Sequence, residues 1–144
     1  MTKVAPQNVK PLKILVVDDE VIIAMNVTLV LKEIGFEVPA LAHSAIEAME
    51  MARVHRPDLI LMDINLKGAG DGIEAAEEIR NTLGIPVMFL TAYSDSENQK
   101  RASAASPLGY IFKPVTDHEL KNAVMEVATK IYASTSTILN WGTR

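Results

Sequence analysis

The chain has 144 residues, of which 49% are hydrophobic, and this length and composition suit a single domain with one core. Its formal net charge of -4 disfavours direct nucleic acid binding, which needs a basic face, and the absence of cysteine excludes disulfides and thiolate metal sites. The sequence contains neither a secretion segment nor the roughly 18 consecutive apolar residues of a membrane span, so we expect a cytoplasmic protein without membrane contact.

Residues 1–11 are polar and contain two prolines, which predicts a flexible N-terminal leader. Beyond the leader, apolar runs alternate between lengths typical of strands and of helices. The first half of the chain is predicted to form a strand at 12–17, a helix at 20–34, a strand at 36–42 and a helix at 44–55. Gly35 suits the left-handed residue that ends a helix, and Ser44 with Glu47 is a capping box that opens the next one.

The second half of the chain continues the alternation. It predicts strands at 58–62, 86–90 and 109–112, and helices that begin near Asp71, Ser94 and Thr116. The helix after Ser94 has only alanines along its apolar stripe, so we expect it to be loosely held. A Ser-Thr run at 134–137 predicts a C-terminal tail or linker over 133–144.

Five strands alternating with five helices predict an α/β fold over residues 12–132. Connections between parallel strands are right-handed, so the helices cover both faces of a doubly wound parallel sheet. In such a sheet the carboxyl ends of the strands meet at one edge, where ligands bind. Polar residues that end the predicted strands should therefore share a pocket.

Four of the predicted strands end in polar residues: Asp18 and Asp19, then Asp63, Thr91 and Lys113. The three carboxylates outnumber the one lysine, and two like charges in close contact cost about 4 kcal/mol at an intermediate dielectric. A divalent cation would neutralise this cluster. Oxygen-only ligands with room for water favour Mg²⁺.

The order of these residues along the chain resembles that of response-regulator receiver domains of two-component signal transduction. The resemblance covers about residues 12–132 and rests on Asp18-Asp19, Asp63, Thr91 and Lys113-Pro114, each at the end of its own strand. It implies a flavodoxin-like sheet with strand order 2-1-3-4-5. It also implies a cis peptide bond before Pro114.

The resemblance implies that Asp63 is a phosphoacceptor, which receives a phosphoryl group from a sensor histidine kinase or a phosphotransfer protein of a phosphorelay. Lys113 would clamp the phosphoryl oxygens electrostatically. Asp19, Asp63 and the backbone carbonyl of Asn65 would ligate Mg²⁺, and Asp18 would act through water. The protein would be a switch rather than an enzyme, with no turnover beyond slow hydrolysis of its own phosphate.

The resemblance also implies a relay from the acceptor to an output surface. Thr91 would donate to a phosphoryl oxygen, and Tyr110 would turn inward in response. This movement would remodel the face formed by the fourth helix, fifth strand and fifth helix, which would bind an output partner or a second copy of the chain. Asn65 and Tyr93 flank the path of a hydrolysing water and would tune the phosphate lifetime.

Several features depart from the family pattern or favour other readings. Leu66-Lys67 and a Gly-rich segment at 68–70 stand where many receivers have Met-Pro, which predicts a longer and more flexible loop. Glu20 is explained by its favourable position at a helix N-terminus, and the three histidines are assigned no chemistry. The alternatives are a phosphatase of the haloacid dehalogenase type, a flavodoxin-like mononucleotide binder, and a receiver fold that serves as an unphosphorylated scaffold.

Overall fold

The computed structural model describes residues 11–66, 71–92 and 96–141, with side chains up to residue 134. Its strands form one sheet of order β2-β1-β3-β4-β5, and every pairing is parallel. The elements are β1 (Ile14–Val17), α1 (Val21–Glu33), β2 (Leu41–Ala42), α2 (Ala45–His55), β3 (Leu59–Asp63), α3 (Gly72–Leu83), β4 (Val87–Ala92), α4 (Ser96–Ser103), β5 (Gly109–Lys113) and α5 (Asp117–Trp141). The predicted fold class and strand order are confirmed.

The sheet is buried on both faces, which explains why its central strands are continuous apolar runs. Every residue of β1 and of β3 is buried. Side chains alternate across the sheet, so Leu15 packs with α2, α3 and α4 on one face, and Val16 packs with α1 and α5 on the other. The helices thus divide into two layers around one sheet.

The register of the sheet brings the polar strand ends together. Val17 pairs with Met62, Asp63 with Leu90, and Ala92 with Lys113. Residues that directly follow β1 therefore lie beside the last residue of β3 and near the last residue of β5. The carboxyl edge of the sheet is where the candidate site forms.

Three of the predicted capping residues begin helices as expected. The side chains of Ser44, Asp71 and Thr116 each accept a hydrogen bond from a backbone N–H three residues later. Gly84 ends α3 in a left-handed conformation with φ 70°. The predicted cap at Ser94 lies outside the described residues.

β2 is much shorter than predicted. The sequence predicted a strand at 36–42, but only Leu41–Ala42 pair regularly, and a single bridge joins Glu37 to Lys13. Pro39 lies between the bridge and the strand and has no N–H to donate to a ladder. The edge of the sheet therefore contains a strand of only two residues.

α5 continues from Asp117 through Trp141, so the backbone of residues 133–141 is helical beyond the predicted end of the domain. No glycine or proline occurs between residues 115 and 141, and Ser or Thr inside a helix costs only a few tenths of a kcal/mol more than Ala. Whether the domain ends at residue 132 stays a prediction. Among the described residues, no helix has both the length and the apolar character needed to cross a membrane.

Gly72 allows α3 to approach the end of β3 closely. A Cβ at Gly72 would collide with the backbone carbonyl oxygen of Asp63 and would lie 3.2 Å from Cγ of Met62. The carbonyl belongs to a buried strand, so it cannot turn aside as a flexible side chain can. A residue without a side chain is therefore required beside Asp63.

Gly72→Ala is expected to lower the free energy of unfolding by about 3 kcal/mol, the upper part of the usual range for overpacking. Gly84→Ala is the matched control, because a Cβ there would meet nothing within 4 Å. That variant should lose only about 1 kcal/mol, from its left-handed backbone. Urea denaturation measures both values, and equal losses would contradict the proposed collision.

Candidate functional site

The carboxylates of Asp18 and Asp63 meet the ammonium group of Lys113 at the carboxyl edge of the sheet. Nζ of Lys113 lies 3.2 Å from Oδ2 of Asp63 and 3.6 Å from Oδ2 of Asp18. Asp18 is 1% exposed and Asp63 is 3% exposed, although both follow apolar strands. The predicted pocket thus brings residues from three different strand ends together.

Each of the two buried carboxylates is held by a backbone N–H two residues later. Oδ1 of Asp18 accepts from the N–H of Glu20 at 2.9 Å, and Oδ1 of Asp63 accepts from the N–H of Asn65 at 3.0 Å. These short loops are typical of aspartate after a strand. In both residues the other oxygen, Oδ2, lies toward Lys113.

Oδ2 of Asp18 is buried without a hydrogen-bond partner in the described part of the chain. Its pKa is raised from 3.8 to about 6, mainly because burial disfavours the charged form and also because Asp63 repels it. The Glu20 N–H and the Lys113 charge act in the opposite direction but do not compensate. A buried carboxylate oxygen that accepts no hydrogen bond is the expected neighbour of a bound cation.

Lys113 remains a strong cation despite its partial burial. Burial by itself lowers the pKa of its ammonium group, but the negative charges of Asp63 and then Asp18 outweigh this effect. The net pKa is raised, so the lysine is charged at neutral pH. Its peptide bond to Pro114 is cis, as expected from the resemblance.

The acidic side chains at the start of α1 fit a hard divalent cation. One carboxylate oxygen from each of Asp18, Asp19 and Glu20 lies within 4.8 Å of the others. An all-oxygen donor set with open sides suits Mg²⁺, which keeps several waters. The sequence assigned Glu20 only to the helix N-terminus, yet the structure places it with the two aspartates. The feature of the sequence that could have indicated this is the position of Glu20 directly after the acidic pair.

Thr91 and Tyr110 lie on the face of the sheet that α4 covers. Thr91 pairs with Phe112 and Phe89 pairs with Tyr110, so the four side chains share one face. Thr91 is buried, and its hydroxyl lies 3.5 Å from the Ala92 carbonyl oxygen. The half-buried Tyr110 ring lies 6.2 Å from that of Phe89 and 6.3 Å from that of Phe112. The predicted relay of Thr91 and Tyr110 stays a prediction.

Polar contacts connect α4 to the loop after β3, and the sequence did not predict them. Asn98 Nδ2 donates to Asn65 Oδ1 at 3.2 Å, and Arg101 forms a 2.8 Å salt bridge with Asp71. These contacts join residues about 30 positions apart, which no local pattern reveals. Tyr93, the other predicted tuning residue, lies outside the described residues.

The structure also gives His43 a position beside the site. Its Nδ1 lies 2.9 Å from the backbone carbonyl of Asp18. The sequence assigned it no chemistry, and the contact is with backbone rather than with a functional side chain. His43 directly follows the edge strand β2, so this contact supports the turn that contains Asp18 and Asp19.

Asp18→Asn is expected to stabilise the protein in EDTA at pH 7.5 by about 2 kcal/mol, since it removes a buried negative charge. The raised pKa means that folding favours the protonated carboxyl, so the wild type loses this stability as pH rises from 3.8 through about 6. Chemical denaturation across this pH range should therefore show that the difference in free energy of unfolding between the variant and the wild type is smallest at acid pH. Excess Mg²⁺ should reduce this difference at pH 7.5. An Asn variant less stable than the wild type in EDTA would contradict this assignment.

Comparison with known proteins agrees with the geometry of the site. The family model of the response regulator receiver domain matches residues 14–125. The transcriptional regulatory protein PdtaR of Mycobacterium tuberculosis is 36% identical over 114 residues, which are 79% of this chain and 55% of PdtaR. This chain thus spans about half the length of that relative. The chemotaxis protein CheY of Halobacterium salinarum is 34% identical over 118 residues, 81% of this chain and 97% of CheY.

A solved structure shows the same architecture. The signal receiver domain of a modulated diguanylate cyclase from Desulfovibrio desulfuricans superposes with a TM-score of 0.78 at 31% identity. The match covers 86% of this chain and 98% of that domain. Together with the family match over most of its length, these similarities establish that the chain belongs to the response regulator receiver domain family of two-component systems.

Proposed function

We propose that this chain accepts a phosphoryl group on Asp63 from a phosphohistidine of a sensor kinase or phosphotransfer protein. The observation that carries the proposal is the state of the Asp63 carboxylate. It is buried, one oxygen is fixed by the Asn65 N–H, and the other lies 3.2 Å from a charged lysine. This side chain is preorganised at the strand edge and next to a cation, as a nucleophile toward phosphorus requires.

The transfer is a displacement at phosphorus. An oxygen of Asp63 bonds to phosphorus while the nitrogen–phosphorus bond of phosphohistidine breaks, and the imidazole leaves with the electron pair. The transition state is loose and spreads charge over the phosphoryl oxygens. Lys113 contributes its charge to these oxygens, and the buried hydroxyl of Thr91 donates to one of them.

The acidic residues beside Asp63 would hold Mg²⁺. Asp19, Asp63 and the carbonyl of Asn65 are the proposed direct ligands, while Asp18 acts through water. When bound, the ion neutralises the carboxylates and the developing charge on the phosphoryl oxygens. Oδ2 of Asp18 accepts no hydrogen bond from the described residues, and the carboxylate of Glu20 is nearby, and both features support a cation at this position.

Apolar residues on α1 support a protein as the phosphoryl donor. Val21, Met25 and Leu29 are each more than half exposed and recur every four residues, which places them along one stripe of the helix. Ile22, 83% exposed, lies beside this stripe and lines a groove of about 530 Å³ that also reaches Lys113. A partner that covers this surface would bring its phosphohistidine to the carboxyl edge of the sheet.

Phosphorylation would change the surface formed by α4, β5 and α5. In α4 only Ala102 is buried among the described side chains, so little apolar burial opposes its movement. Movement of Thr91 toward the phosphoryl group would vacate space that the half-buried Tyr110 can fill. The remodelled surface would then bind an output protein or a second copy of this chain.

The arrangement favours this function over the other readings. A phosphatase of the haloacid dehalogenase type carries its nucleophile after the first strand, whereas here that place holds the acidic pair. A mononucleotide binder would offer backbone amides or hydroxyls to phosphate where this chain offers carboxylates. An unphosphorylated scaffold would not need Asp18, Asp63 and Lys113 to converge, and their convergence favours a phosphorylation-dependent switch.

Incubation with acetyl phosphate and Mg²⁺ is expected to add the mass of one phosphoryl group to the wild type, as measured by intact mass spectrometry. Asp63→Asn removes the nucleophile and should gain nothing. Lys113→Ala should slow phosphorylation by about 10²-fold, which is typical for the loss of one charged group that stabilises a transition state.

Asp117→Asn is the matched control, since it removes an exposed carboxylate at the start of α5. It should gain the phosphoryl mass as the wild type does. A mass gain that persists in Asp63→Asn would refute the proposed acceptor. A mass gain that does not depend on Mg²⁺ would refute the proposed cofactor.

A further inference from the structure

A chain of polar side chains links α4 to Asn65, in the loop after the acceptor strand. Asp71 binds Arg101 at 2.8 Å, and Arg101 Nη1 donates to Asn98 Oδ1 at 3.0 Å. Asn98 Nδ2 in turn donates to Asn65 Oδ1 at 3.2 Å. Each link depends on the previous one, because the bond from Arg101 to the oxygen of Asn98 directs the Asn98 amide nitrogen toward Asn65.

Asn65 is close to the acceptor. Its backbone N–H donates to Asp63 Oδ1 at 3.0 Å, and its exposed side chain lies two residues beyond the nucleophile. The contact with Asn98 turns the amide oxygen of Asn65 toward α4. A helix that is distant in sequence therefore helps to set the orientation of this amide.

The direction of the amide oxygen matters for hydrolysis of an acyl phosphate on Asp63. In that reaction the oxygen of a water bonds to phosphorus, the bond from phosphorus to the Asp63 oxygen breaks, and Asp63 leaves as a carboxylate. The water loses its proton to solvent, and inorganic phosphate is released. A nearby hydrogen-bond acceptor that orients the water speeds this attack.

We propose that Asn98 is a positioning residue that lengthens the lifetime of the phosphoryl group on Asp63, because it holds the oxygen of Asn65 away from the attacking water. This inference rests on the proposed function. When the bond between Asn98 and Asn65 breaks, the Asn65 amide oxygen loses this restraint and becomes available to accept a hydrogen bond from that water. Arg101 and Asp71 support the same state by orienting Asn98.

The same contacts make phosphate lifetime sensitive to the position of α4. The helix has one buried side chain among those described, so its polar bonds contribute much of its attachment. Gln99 Nε2 adds a bond to the Ala92 carbonyl at 2.9 Å. A partner that displaces α4 would break the bond to Asn65 and accelerate loss of the phosphate.

The test follows decay of the phosphorylated chain by intact mass after acetyl phosphate is removed by desalting, with Mg²⁺ present. Asn98→Ala should shorten the half-life about three- to tenfold, the range for loss of one hydrogen bond. Asn98→Asp should shorten it as well, because it keeps the acceptor for Arg101 but loses the donor to Asn65. Lys100→Ala, an exposed change on the same helix, should leave it unchanged.

A double-mutant cycle separates positioning from general loosening of the fold. In an Asn65→Ala background, Asn98→Ala should no longer change the half-life, since the oxygen that it controls is absent. The inference would be overturned by an unchanged half-life in Asn98→Ala. It would also be overturned by an equal effect of that substitution in the wild-type and Asn65→Ala backgrounds. Neither result would contradict the proposed function. A wild type that gains no phosphoryl mass would overturn the proposed function and the inference with it.

Discussion

The ion pair between Lys113 and the buried carboxylates of Asp18 and Asp63 is the interaction on which the site depends. Two negative charges in a nearly dry pocket repel each other, and one ammonium group at 3.2 Å and 3.6 Å only partly offsets this repulsion. The pKa of Asp18 is raised chiefly by burial and also by the negative charge of Asp63. The folded chain therefore holds a site with excess negative charge, and this excess favours the binding of a cation.

The fold tolerates this cost because the remainder of the sheet is apolar and tightly packed. β1 and β3 are buried along their whole length, and their carboxyl ends are the places where charge emerges. Gly72 allows α3 to begin directly against the backbone of Asp63, which restrains the backbone of the proposed acceptor. The rigid strand β3 thus positions the nucleophile at its own carboxyl end.

α4 contrasts with this rigid centre. It is attached through Asn98, Gln99 and Arg101 rather than through a broad apolar face. Polar contacts at a partly exposed surface exchange with water at little net cost, so a helix held in this way can shift between positions separated by a small free energy. The proposed switch uses that property, because the same helix packs on the face of the sheet that carries Tyr110 and also contacts Asn65.

The sequence by itself determined the strand and helix order, three of the helix caps, and the placement of Asp18, Asp63, Thr91 and Lys113 at strand ends. These features follow from apolar periodicity and local capping, which act over a few residues, and from the family resemblance, which supplied the strand order and the cis bond before Pro114. Only the tertiary structure decided that β2 shrinks to two residues, that α5 continues through Trp141, that Glu20 joins the acidic pair, and that Asn98 and Arg101 reach across to Asn65 and Asp71. Such contacts depend on how separate elements pack in space, and no pattern along the chain encodes that distance.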